Sequence, residues 1–106
     1  MAEISIEIIK SMCQKEALRW TNHMLIKLIQ RNISIDDIVC ALMNGEIIEQ
    51  YPNDYPYPSC LTLGLSVHKK HLHVVCGVGD KELWLITAYY PDSGKWKTGF
   101  KIRKEI

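Results

Sequence analysis

The chain is 106 residues long, 47% apolar and 24% charged, with a formal net charge of +1. That composition fits one soluble globular domain over residues 1–106, burying roughly 60 to 70% of its unfolded surface, and excludes a disordered, fibrous or strongly cationic protein. No apolar run approaches the roughly 20 residues that cross a bilayer, and the first residues lack the basic-then-apolar order of an export signal. A cytoplasmic protein without a membrane partner is expected. The cysteines at 13, 40, 60 and 76 stand singly, with no C-x-x-C pair, and read as reduced core thiols.

Ser5 caps a predicted helix over about 5–16, with Ile6, Ile9, Met12 and Cys13 as its apolar stripe and Glu7 in its first turn. Thr21 caps a second over about 22–31, ending at Asn32, which tolerates the left-handed conformation. Its apolar side is Leu25, Leu28 and Ile29, while His23, Lys27, Gln30 and Arg31 share another face. Ser34 and Asp37 have the spacing of a capping box and open a third helix over about 35–43, stopped by Asn44 and Gly45, the glycine suited to positive φ.

A short edge strand is predicted over 46–51. The next residues, YPNDYPYPSC, hold prolines at 52, 56 and 58 and tyrosines at 51, 55 and 57, and cannot sustain a ladder. This ordered loop either packs against the sheet edge or presents aromatic faces to a base or a partner. Over 60–68, Leu61, Leu63, Leu65 and Val67 alternate with Cys60, Thr62, Gly64, Ser66 and His68, giving one bulky and one small face. Residues 71–78 and 82–90 form a hairpin around Gly79, Asp80 and Lys81, with Leu72, Val74, Cys76 and Val78 on one face and His71, His73, Val75 and Gly77 on the other. After a turn at Pro91-Asp92-Ser93-Gly94, alternation predicts a last strand over 96–103, and five basic residues between Lys95 and Lys104 face only Glu105.

Helices followed by strands predict an α+β domain, the helices covering the bulky face of an antiparallel sheet of four to five strands. The opposite face is then expected to be open and to carry Thr62, Ser66, His73, Lys97, Lys101 and Arg103.

The series His23, Lys27, Arg31-Asn-Ile-Ser, Gly45-Glu-Ile-Ile, Tyr51-Pro, Asp54, Pro58-Ser-Cys-Leu, Leu72-His-Val-Val, Thr87-Ala-Tyr, Pro91-Asp and Trp96 resembles a small prokaryotic family catalogued as a domain of unknown function, over roughly residues 20–103. That family is in turn similar to the RelE and BrnT-type toxin fold, whose open sheet face meets RNA. The resemblance implies a RelE-like fold and a toxin-like, metal-independent endoribonuclease. Lys27 stands where the family has arginine, which keeps the charge but loses the planar fork, and Asn32 stands where it has glycine.

Such cleavage needs a base, an acid and cations for the developing phosphorane charge. On the expected open face His73, Tyr89 and Lys97 are the catalytic candidates, and Lys101, Arg103, Lys27 and Arg31 the phosphate-binding ones. His73 fits equally a sheet histidine bonded to a neighbour. His23, Asp54 and Trp96 are candidates for support, His23 by tying its helix to the Asp54 loop, and Arg31 could pair with Asp36, Asp37 or Asp54. His68, His71 and His73 make no zinc set, since only His71 and His73 share a face and Lys69 and Lys70 repel a cation. Phosphate-loop, dinucleotide and nucleophile-elbow motifs do not occur in the sequence, so neither a nucleotide nor another cofactor is expected. The competing reading is a non-catalytic module whose open face or strand edge binds a protein such as a cognate antitoxin.

Overall fold

The structure, a computed structural model, describes residues 3–104. Its helices are α1 (Ile6–Gln14), α2 (Asn22–Gln30) and α3 (Ile35–Met43). Each begins at a hydroxyl that accepts an otherwise unpaired N–H: Ser5 from Ile8, Thr21 from Met24 and Ser34 from Asp37. Asp37 returns the favour by accepting the Ser34 N–H, which completes the capping box. Helix α2 ends in a Schellman turn, with Asn32 at φ 57 and the Ile33 N–H on the Leu28 carbonyl. Glu16, at φ 56, closes α1 in the same way, so that helix is shorter than its periodicity suggests.

The strands are β1 (Leu18–Arg19), β2 (Glu46–Tyr51), β3 (Ser59–Leu65), β4 (His71–Val78) and β5 (Leu83–Tyr89), in the order β1-β5-β4-β3-β2. Strand β1 runs parallel to β5 and the other pairs are antiparallel. The α+β architecture expected from the sequence is present, with two differences. Strand β3 stops at Leu65, because Ser66 and Lys70 close a tight turn with Lys69 at φ 63. Residues 96–103 are not a strand: Gly99 (φ 91) and Phe100 (φ 62) turn the chain back on itself, leaving the single bridge Trp96 to Arg103. The fifth strand is instead the two-residue β1, too short to show an alternation.

The helices cover the sheet face carrying Cys60, Leu72, Val74, Cys76, Leu85 and Ala88. For β4 this is the expected face, but for β3 it is the reverse of the expected one. Register pairs Leu63 with His73 and Leu61 with Val75, so the bulky leucines lie on the His73 side. The small residues lie under α3 because the helix needs their room: a Cβ on Gly64 would stand 1.9 Å from the Ala41 carbonyl oxygen. Gly45 serves the same close approach, its would-be Cβ lying 2.4 Å from that oxygen, and does not adopt positive φ. Thr62 therefore faces the helices and bonds the Val74 carbonyl, and Ser66 sits in the turn, so neither belongs to the His73 face. On α2 the core residues are Met24 and Leu28, while Ile29 is 79% exposed.

The other sheet face is divided. Over its β2 half, residues 91–104 lie across the strands as a strap, held by Lys101 on Glu46 (3.2 Å) and Arg103 on Glu49 (2.8 Å), with Trp96 buried. Towards Gly77, Trp84 and Ile86 the face carries aromatic and apolar side chains that are half-buried or exposed.

Candidate active site

His73 is completely buried beneath the strap. Its Nε2 lies 2.8 Å from the Phe100 carbonyl, which can only accept, so Nε2 carries the proton and Nδ1 is left with a lone pair. The Tyr89 hydroxyl lies 3.4 Å from Nδ1 and can donate to it. The Trp96 ring meets the imidazole edge-on at 4.5 Å between centroids. Burial pushes the His73 pKa down, against the opposing effect of the Phe100 bond, and the ring is held neutral. Burial pushes the Tyr89 phenol up, although the charges of Arg103 and Arg31 pull the other way. Tyr89 thus keeps its proton at neutral pH and has an acceptor behind it.

In front of Tyr89 a cleft of about 350 Å³ opens, lined by Tyr89, Tyr90, Asp92, Lys95, Trp96 and Arg103. The turn after β5 builds one wall, since Asp92 accepts the Gly94 N–H on its carboxylate and the Lys95 and Trp96 N–H groups on its carbonyl. Arg103 stacks over Trp96 at 4.6 Å and makes a two-pronged bond to Glu49 (2.8 and 3.0 Å). The Arg103 bond holds the Glu49 carboxyl below its usual range. Tyr51 also donates to Glu49, and burial with that neighbour raises its phenol to about 12.

Of the residues singled out from sequence, the cleft brings together Tyr89, Trp96 and Arg103, with His73 buried behind Tyr89. Arg31 stands beside them at the edge of β5, where β1 has ended and the backbone is unpaired. Its guanidinium donates to the Ala88 carbonyl (2.8 Å) and the Thr87 hydroxyl (3.1 Å) rather than to an aspartate. Lys97 and Lys101 are exposed and lie outside the cleft lining, Lys101 being paired with Glu46. Lys27 is half-buried and His23 exposed on α2, and Asp54 accepts the Ser59 hydroxyl in the loop between β2 and β3. Asp92 and Lys95 join the site, although in the sequence the first belongs to a turn within the family series and the second to a basic run. The available signal was their position, immediately after the strand that carries Tyr89.

No curated protein and no solved structure matches the chain. One family, described as a domain of unknown function (DUF4258), matches residues 20–90. The match runs from the residue before Thr21 to Tyr90 at the mouth of the cleft, and the strap follows it. It takes in most of the chain, and the protein belongs to that family.

Proposed function

We propose that this domain is a toxin-like, metal-independent endoribonuclease related to the RelE and BrnT-type folds, cutting single-stranded RNA in the cleft at Tyr89. The observation that carries this reading is that a carboxylate, a phenol with an acceptor behind it, and a guanidinium line one cleft. In the reaction the 2′-oxygen attacks phosphorus and its proton passes to the Asp92 carboxylate. The bond from phosphorus to the 5′-oxygen breaks, and Tyr89, whose single proton turns from His73 Nδ1 towards the bound RNA, gives it to that leaving oxygen. Arg103 and Lys95 offset the charge on the phosphorane oxygens. His73 cannot touch the RNA. It is a positioning residue, orienting the Tyr89 hydroxyl through Nδ1 while Phe100 fixes its tautomer.

The test is cleavage of a labelled single-stranded RNA by the parent and its variants. Tyr89→Phe and Asp92→Asn are each expected to slow cleavage about 100-fold or more, while Lys97→Ala stays within a few-fold of the parent. His73→Gln should alter the pH profile as well as the rate. Equal rates for the parent and Tyr89→Phe would defeat the reading.

A specific observation favours the competing module. Two cations of the expected phosphate strip, Arg103 and Lys101, already have carboxylate partners. If the domain is such a module, binding a protein partner such as an antitoxin, its expression leaves growth unaffected and its contact with RNA shows no salt dependence.

A further inference from the structure

Beyond the strap, on the same sheet face as His73, is a second hollow that the reaction above does not use. Its volume is about 420 Å³, and Asp54, Tyr55, Tyr57, Gly77, Trp84 and Ile86 line it. Gly77 provides the floor. It pairs with Trp84 across β4 and β5, and a side chain there would meet only ordinary contacts, 3.6 Å from Ile86 and 3.9 Å from Trp84. Tyr57 packs against Gly79 at the end of β4, Tyr55 is 95% exposed and Ile86 is 50% exposed. Tyr55, Tyr57 and the half-buried Trp84 thus leave aromatic surface accessible around a glycine floor, a shape that a planar ring can cover by stacking.

The one charged group at the rim selects among planar ligands. Asp54 is an acceptor whose Oδ2 takes the Ser59 hydroxyl, and each carboxylate oxygen has more than one lone-pair site. A phosphate is repelled there. A base edge with two adjacent N–H donors is matched, and among the four RNA bases guanine has that edge in N1–H and its 2-amino group. His73 and Gly77 are four residues apart on β4, about 13 Å along an extended strand, so a short single-stranded segment whose phosphate lies at Tyr89 can place a neighbouring base in the hollow. We infer that the hollow between Tyr57, Gly77 and Trp84 is a nucleobase subsite that takes guanine, stacked on the rings and bonded to Asp54. The inference rests on the RNA-cleaving reading for its substrate class.

The experiment measures binding of RNA hexamers of uniform sequence context with one central guanosine, inosine or uridine. The expected order is guanosine, then inosine, which lacks the 2-amino group, then uridine, with at least tenfold between first and last. Asp54→Asn and Gly77→Val should each abolish that preference, the first on the exposed rim and the second by filling the floor. Loss of the preference in Asp54→Asn supports the subsite even if Gly77→Val fails to fold. Equal binding of the three hexamers by the parent, or a preference that survives in Asp54→Asn, overturns it. Two further outcomes separate the claims. Guanosine preference with no difference between the parent and Tyr89→Phe in cleavage sinks the nuclease reading alone, and Tyr89-dependent cleavage without base preference sinks the subsite alone.

Discussion

Gly64 and Ala41 are in backbone contact: a methyl group built on Gly64 would lie 1.9 Å from the Ala41 carbonyl oxygen and 2.9 Å from its Cα. The obstacle is main chain, which cannot rotate away. Gly64→Ala should therefore destabilise the fold by about 3 kcal/mol or more. Gly77→Ala, whose new methyl meets only ordinary contacts, should stay within about 1 kcal/mol of the parent. Urea unfolding of the two variants checks the difference.

That contact also explains where the sequence was misleading. Alternation in 60–65 separates two faces correctly, but which of them meets the helices depends on how closely α3 approaches. The bulky set looks like core until Gly64 is seen to admit a helix backbone. The capping hydroxyls, Asn32 and the hairpin were legible because each acts through neighbours a few residues away. The strap was not: Trp96, Thr98, Phe100 and Ile102 alternate like a strand, and positive φ at Gly99 and Phe100 breaks the pattern. The meeting of Tyr89 and His73 was not legible: Leu83, Leu85, Thr87 and Tyr89 share one parity, and only the extra residue Ile86, between Thr87 opposite Val75 and Leu85 opposite Cys76, turns Tyr89 from the face of Leu85 to that of His73.

Trp96 and Arg103 anchor the strap by different physics. Trp96 is buried against His73, so Trp96→Ala leaves a cavity and should cost about 3 to 5 kcal/mol. Arg103 is largely exposed and its bond to Glu49 is screened by water, so Arg103→Ala should cost no more than about 1 kcal/mol. If thermal melts gave the two variants equal losses, the strap would be held by its rim and not by its plug.

Arg31 caps the stretch of β5 that β1 leaves unpaired. Arg31→Ala frees the Ala88 carbonyl and should lose about 1 to 2 kcal/mol. Lysine should recover half or more of that loss, because a single guanidinium nitrogen makes both bonds and an ammonium also carries protons enough for Ala88 and Thr87. Hydrogen exchange in β5 reports the local loosening.

Acid should destabilise the fold in two stages. His73 has a folded pKa below its ordinary 6.5 because of burial, so the unfolded chain binds the extra proton first. Its contribution is complete above about pH 6.5 and declines as pH falls from there towards the folded pKa. Asp37, held low mainly by its bond from the Ser34 backbone, and Glu49, held low by Arg103, add stability present above the ordinary carboxylate pKa and lost as pH falls through their folded values. Melting temperature should drop between pH 7.5 and 5.5 in the parent and remain nearly level over that range in His73→Gln.

The nuclease account is tested most directly by the ends of the fragments formed when purified protein meets single-stranded RNA at neutral pH in excess chelator. It predicts upstream fragments ending in a 2′,3′-cyclic phosphate, downstream fragments beginning with a 5′-hydroxyl, and at least a hundredfold less of both with Tyr89→Phe. Intact RNA, or fragments bearing a 5′-phosphate, would contradict it.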